Sequence, residues 1–285
     1  MEKTLLYTIR ELIKRSTEFL EKRGVQHARR VSEELLSALL NRKRMELYFD
    51  YDAPLEEKEV SRYREWIKRK GMKEPLAYIV GEVEFLDLKI QVTPATLIPR
   101  HETEILADLI VKSLPEGALE VWDVCTGTGC LGLAVKNKRP DCHVKLADIS
   151  GEALRVAKKN AERNHLEVEF LEGDLLSPFE GKKADVVICN PPYITSEEYE
   201  GLEEEVRAFE PKGALVGGLD FYHRLAKDLP YFLNPKAKVF FEIGTGQGKE
   251  LMEIFSESHW IQKKCEKDWS SRDRFFFLEY DKNFQ

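Results

Sequence analysis

The sequence contains no apolar run that approaches the ~20 residues a membrane-spanning helix requires. Its opening stretch, MEKTLLYTIRELIKR, scatters charges and has no apolar h-region, so it does not read as a secretory signal and a cytoplasmic protein is expected. Cysteine is scarce. The five present, Cys125, Cys130, Cys142, Cys189 and Cys265, form no CxxC pair, and the six histidines are equally dispersed. This pattern excludes a disulfide framework and a zinc site, and no metal is expected. Internal repeats and low-complexity tracts are also missing. What remains is a 285-residue chain with 42% hydrophobic residues, enough for one large domain or two smaller ones with a substantial core.

Excess positive charge is lacking too, since the formal net charge is −7. The charge is uneven. Residues 1–74 carry 18 Lys and Arg against 14 Asp and Glu, a net of +4, which leaves −11 for the remainder. An acidic main body argues against wrapping a phosphate backbone, and there is no strip of alternating aromatic and basic residues. No membrane partner and no direct nucleic-acid contact are expected.

Residues 3–22 place Leu5, Leu6, Ile9, Leu12, Ile13, Phe19 and Leu20 at helical spacing, with Gly24 as a stop. Residues 27–41 repeat the pattern. A third helix is expected from Pro54, as a first-turn proline, through Val60, Tyr63 and Ile67 to Gly71. Residues 1–74 thus read as a small helical domain, either a docking module or a structural cap. Residues 75–100 alternate like a β-hairpin, through Val83, Phe85, Leu88, Ile90 and Val92, and read as a linker. From residue 101 to 285 helix and strand alternate: strands at 119–124, 143–147, 168–171, 185–189 and 239–243, then two final strands with no helix between them. That order implies an α/β fold with a mainly parallel sheet, helices on both faces and an antiparallel end.

Four strand ends carry candidate chemistry. The first strand runs into Asp123-Val124-Cys125-Thr126-Gly127-Thr128-Gly129, whose glycines allow a tight turn and a close approach to a ligand. With Gly132 the spacing also satisfies GxGxxG, so a dinucleotide site is an alternative, as is a purely structural turn. Asp148 ends the second strand, where a carboxylate accepts both hydroxyls of a ribose; capping the following helix is its bland role. Asp174 follows the third strand, where an acidic side chain and a backbone N–H suit adenine, or simply a turn. The fourth strand, Val186–Cys189, ends in Asn190-Pro191-Pro192-Tyr193. Prolines give no N–H to a sheet ladder, so they end the strand and stiffen a rim carrying one amide, carbonyls and an aromatic ring. Such a rim suits a flat group bearing an NH2. No histidine or Tyr–Lys pair suggests a proton donor for hydride transfer, which favours a methyl donor with an adenosine end over a nicotinamide.

With these stretches in hand, the chain resembles the S-adenosylmethionine-dependent seven-stranded, Rossmann-like methyltransferases that carry an NPPY motif. Within them it is most similar to the HemK/PrmC family of bacterial protein-(glutamine-N5) methyltransferases. YIVGEVEF, Leu97–Glu104, DVCTGTG, ADISGEAL, NPPYI, Phe209–Tyr222, FEIGTGQG and the terminal RDRF carry the resemblance along nearly the whole chain. NPPY alone is shared with nucleic-acid methyltransferases; the Leu97–Glu104 and GALVGG segments are more specific. The chain departs at His101, usually proline, at Cys125, commonly glycine, and at Trp269-Ser270-Ser271, where a glycine usually precedes the Asp-Arg pair.

The resemblance implies binding of S-adenosyl-L-methionine, with S-adenosyl-L-homocysteine as product, at Asp123, Cys125, Thr126, Gly127, Thr128, Gly129, Asp148, Ile149, Asp174, Leu175 and Asn190. It implies class 1 peptide chain release factors as partners, with methyl transfer to the glutamine of their Gly-Gly-Gln tip. Asn190 and Pro191 would accept the two amide N–H bonds, Pro192 would belong to the same substrate-binding rim, and Tyr193 would pack on the flat amide and shape the slot. Three other readings remain: an adenine or guanine amino-methyltransferase, a nucleotide-dependent oxidoreductase, and a non-catalytic cofactor-binding module.

Overall fold

The computed structural model describes residues 7–282. The chain forms two compact units, one of residues up to Gly81 together with Glu203–Phe209, the other of Glu82–Leu202 and Glu210 onward. No helix among the described residues is long and apolar enough to cross a membrane.

The first unit contains α1 (Ile9–Lys22), α2 (Ala28–Leu40), α3 (Glu57–Gly71) and α4 (Leu76–Val80). Thr8 starts α1 with a capping box: its hydroxyl accepts the Glu11 N–H at 3.2 Å while Glu11 Oε2 accepts the Thr8 N–H at 3.0 Å. Ile9, Leu12, Ile13 and Leu20 then face one side and meet Leu35, Leu36, Tyr63 and Trp66 in a single core. Leu5 and Leu6, expected to extend this helix, lie outside the described residues. Pro54 does not open α3, which begins three residues later. Its segment is already engaged: Pro54 bridges Thr8, and the Leu55 and Arg10 N–H groups donate to the Tyr7 and Tyr51 carbonyls at 2.9 and 3.0 Å. Residues 76–80, expected within the linker hairpin, are helical and tied back by Arg69, which donates to Glu74 Oε2 at 2.8 Å and to the Tyr78 carbonyl at 3.2 Å.

The second unit opens with an antiparallel hairpin, β1 (Glu82–Phe85) and β2 (Leu88–Gln91). Next come α5 (His101–Ser113), β3 (Glu120–Val124), α6 (Cys130–Lys138), β4 (His143–Asp148), α7 (Gly151–Arg163), β5 (Glu169–Glu172) and β6 (Ala184–Cys189). Then follow α8 (Ser196–Glu200), α9 (Glu204–Phe209, in the first unit), α10 (Asp220–Asp228), β7 (Leu233–Glu242), α11 (Gly248–Ile254), β8 (Trp260–Lys267) and β9 (Asp273–Tyr280). The seven-stranded sheet has the order β5-β4-β3-β6-β7-β9-β8, parallel through β7 and antiparallel at β9 and β8. The expected α/β sheet with its antiparallel end is present. The central strands are apolar on both faces, as a helix-covered parallel sheet requires. Trp122 stacks on Phe179 at 3.9 Å within one hydrophobic core of the second unit.

The chain winds outward from β3 to β5, then returns to place β6 on the other side of β3. The strand order therefore reverses between β3 and β6, and loops at such a switch point diverge to leave a crevice at the strand carboxyl ends. The loops after β3 and β6 are the Gly-rich turn and Asn190–Tyr193.

Candidate functional site

A cavity of about 530 Å³ opens at these strand ends. Of the residues named from sequence, Cys125, Thr126, Gly127, Thr128, Asp148, Ile149, Asp174, Leu175, Asn190 and Pro192 line it. Asp123, Gly129, Pro191 and Tyr193 do not. The remaining wall includes Thr96, Leu97, Pro99, Arg100 and Thr103 from the segment entering α5.

The turn after β3 is shaped by backbone conformation. Cys125, Gly127 and Gly129 all adopt positive φ, at 61°, 55° and 83°. At Gly132 a Cβ would collide with Leu146 Cδ2, so glycine is required for α6 to lie against β4. Asp123 sits beneath the turn, 1% exposed. Its Oδ2 accepts from Thr126 Oγ1 at 2.6 Å and from the Gly132 N–H at 2.9 Å, while Oδ1 is buried with no hydrogen-bond partner among the described residues. Burial pushes its carboxyl from 3.8 to about 7, against those two hydrogen bonds. Asp123 thus braces the loop from below.

Asp148 has one oxygen on the Gly127 N–H at 2.8 Å and the other on the Ser150 N–H at 2.9 Å. Ser150, not Asp148, caps α7, its hydroxyl accepting from Ala153 at 3.2 Å. Burial raises the Asp148 carboxyl above its ordinary range. Each carboxylate oxygen has a lone pair beyond the bond it accepts, so two ligand hydroxyls fit here. Beside it Ile149 is 70% exposed, an apolar face toward the cavity. Asp174 is already partnered: Arg224 of α10 donates to its Oδ2 at 2.6 Å and lines the same cavity. A sequence reading of Asp174 as a free adenine acceptor misses this arginine, fifty residues on.

The Asn190 side chain makes no hydrogen bond among the described residues, although Asn190 lines the cavity; its amide is available to a ligand. Pro191 and Pro192 are buried. The segment after them pairs with Leu215–Gly218: Ile194 N–H donates to the Leu215 carbonyl at 2.9 Å, and Gly217 N–H returns to the Ile194 carbonyl at 3.0 Å. A Cβ at Gly217 would strike the Pro192 carbonyl oxygen and the Phe221 ring, so the GALVGG segment meets NPPY as closely as backbones allow. The same stretch is tied to the opposite wall by Glu210, 5% exposed, which accepts from Arg100 at 2.6 Å and the Ile98 N–H at 3.1 Å. Tyr193 turns away from the cavity, and its hydroxyl donates to Glu242 Oε1 at 3.3 Å. Arg224 lies outside the segments that carry the resemblance, and for Glu210, Glu242 and Arg274, which lie inside them, no local pattern shows the long-range partner: Arg100 is 110 residues from Glu210, and Tyr193 is 49 from Glu242 and 81 from Arg274.

The comparisons with known proteins agree with this architecture. Residues 11–81 match the PrmC N-terminal domain model and residues 97–211 the methyltransferase small domain model. The release factor glutamine methyltransferase of Chlamydia trachomatis serovar D is 41% identical over 281 residues, covering 96% of this chain and 95% of the relative. That of Geobacter sulfurreducens is 36% identical over 276 residues, covering 96% and 97%. The chain belongs to the release factor glutamine methyltransferase family. A Pyrococcus furiosus methyltransferase structure shares the fold at 18% identity and a TM-score of 0.52, covering 69% of this chain and 90% of that one. Membership in this family does not favour the oxidoreductase reading of the GxGxxG spacing. It also gives the three departures a context. Cys125 holds a left-handed conformation that favours glycine, while His101 and Trp269, both exposed, meet edge to face at 5.1 Å.

Proposed function

We propose that the protein transfers a methyl group from S-adenosyl-L-methionine to the side-chain amide nitrogen of the glutamine in the Gly-Gly-Gln motif of class 1 peptide chain release factors. The observation that carries this reading is one cavity shared by a nucleoside-type rim, Gly127 with Asp148 and Ile149, and by Asn190 with its amide uncommitted. About 530 Å³, largely apolar with a few placed polar groups, suits a ligand of this size. Asp148 would hold the ribose hydroxyls, Ile149 and Leu175 the adenine faces, and the turn from Cys125 to Gly129 the amino-acid end.

The bound cofactor supplies a methyl on a sulfonium, already a strong electrophile. An amide nitrogen is a poor nucleophile because its lone pair is delocalised, so the chain's task is positioning. Asn190 Oδ1 and the Pro191 carbonyl accept the two N–H bonds of the glutamine amide, aim the nitrogen and favour the positive charge that develops on it. Pro192 shapes the slot. Tyr193 does not meet the amide across the cavity; it stands behind the rim, with its hydroxyl anchored to Glu242. The proton leaves that nitrogen to water after transfer. The test incubates the protein with labelled S-adenosylmethionine and a release factor whose tip glutamine is intact or replaced by alanine. Label on the intact factor alone is expected; label on both or on neither overturns the reading. Label on an added nucleic acid would favour the base-methylating alternative instead, which the family does not favour.

The first unit is assigned to docking the release factor in the cytoplasm. Its residues 1–74 carry a net +4, to which Glu203–Phe209 add −2, and it exposes Met45, Phe49 and Met72. Replacing Met45 and Phe49 by serine should raise KM for the release factor about tenfold and leave kcat intact, in line with one or two interface anchors. An unchanged KM would refute this surface.

A further inference from the structure

Tyr193 is gripped at both ends by residues outside the cavity. Its hydroxyl donates to Glu242 Oε1 at 3.3 Å and accepts from Arg274 Nη1 at 3.3 Å. A guanidinium only donates, so the hydroxyl proton is directed to the carboxylate. At the other end, the Gln247 amide donates to the Tyr193 carbonyl at 3.0 Å, while its oxygen accepts the Gly244 N–H at 2.7 Å. Arg274 is itself held by the Ile243 carbonyl and Thr245 Oγ1, both at 3.2 Å. The free oxygen of Glu242 accepts from Thr103 Oγ1 at 2.7 Å, and Thr103 lines the cavity. Glu242 is 1% exposed, and its backbone carbonyl takes the Tyr222 hydroxyl at 2.8 Å. A fully buried carboxylate with every oxygen committed is costly unless it organises its neighbours.

We infer that Glu242, Arg274 and Gln247 are positioning residues for methyl transfer: they fix Tyr193, and through it the Asn190–Pro192 rim, with Glu242 linking that rim to Thr103 of the cavity lining. The inference rests on the proposed function. The three residues touch neither cofactor nor substrate; they act through the tyrosine. Because only rim geometry is altered, their loss shows in kcat and not in cofactor affinity.

The test is a mutant cycle on the full chain with release factor and labelled S-adenosylmethionine, with cofactor Kd measured by calorimetry. Glu242→Gln keeps size and one acceptor while removing the charge. It should lower kcat by about 10- to 100-fold, the cost of an ångström-scale misplacement, with cofactor Kd unchanged. Tyr193→Phe deletes only the hydroxyl and should do the same. The double variant should be no slower than the slower single, because both act through one hydroxyl. Arg274→Lys with Tyr193→Phe gives the same cycle if Glu242→Gln does not fold. Multiplying losses, or a loss of cofactor affinity as large as the loss in kcat, would overturn the inference and show a general structural role. A wild-type protein that labels no release factor overturns the proposed function, and the inference with it.

Discussion

The two rims of the cavity are held in different ways. On the rim formed after β3 and β4, the shaping bonds join residues close in sequence: Asp123 to Thr126 three residues on, Asp123 to Gly132 nine on, Asp148 to Gly127 twenty-one back. The rim after β6 is held from afar, with Tyr193 bound by residues 49, 54 and 81 positions away. One rim is a local turn whose shape follows from glycine placement and a strand-end acid. The other is a stiff segment whose place depends on packing from β7, β9 and the GALVGG segment. The first rim is suited to a constant small cofactor. On the proposed function the second would hold the slot for a side chain delivered by another protein, and it is braced from three directions.

The sharpest way to break this comparison is Asn190→Ala. If the rims divide the labour, kcat should fall about 10²- to 10³-fold, the size seen when one placed polar group is lost from a transition-state site, with cofactor Kd unchanged. A matching loss of cofactor affinity in calorimetry would merge the two rims into one. Asp148→Ala is the converse. Losing the carboxylate should weaken cofactor binding about 10- to 100-fold, as expected for hydrogen bonds to a charged group, with a smaller change in kcat at saturating cofactor. A large kcat loss at saturation would place Asp148 in the transfer step itself.

The same contrast explains what was legible in the sequence. The alternation of elements, the antiparallel end and the strand-end positions of Asp123, Asp148, Asp174 and Asn190 follow from local patterns: apolar β-branched runs, glycines in turns, prolines that stop a ladder. The supports of the second rim are not local. Glu242 reads as an ordinary strand residue until β7 is placed beside Thr103 and Tyr193. Pro54 has the chemistry of a helix start, and only its pairing with Thr8 rules that out. Residues 203–209 show no apolar period, and their place follows instead from ion pairs of Glu204 with Lys73 and of Glu205 with Lys70, both at 2.6 Å across more than 130 positions.

A pH experiment probes how self-contained the first rim is. Burial raises the folded-state carboxyl of Asp123 from 3.8 to about 7. The folded chain therefore holds that proton more tightly than the unfolded chain does. The resulting stability is fully present below pH ~4 and is lost as the pH rises through about 7. Asp123→Asn cannot ionise and still offers an oxygen to Thr126 and Gly132. In cofactor-free protein it should match wild type near pH 4 and exceed it by about 4 kcal/mol at pH 8, measured by urea unfolding. A difference that stays constant across that range would mean that the carboxyl does not titrate with folding.

The smallest effect is expected where the backbone alone sets the first rim. Cys125 holds φ at 61°, a conformation costing a residue with a Cβ about 1 kcal/mol. Glycine removes that strain but adds about 0.5–1 kcal/mol of chain entropy to be lost on folding. It also gives up the contact of the thiol with the core around Cys189. These terms nearly cancel, so Cys125→Gly should change unfolding free energy by less than about 0.5 kcal/mol and leave cofactor Kd unchanged. Cys125→Val should cost about 1–2 kcal/mol, because a β-branched side chain fits the left-handed region poorly. Equal losses for glycine and valine would show that the thiol, and not the dihedral, holds the turn in place, and the first rim would then depend on side-chain packing as the second does.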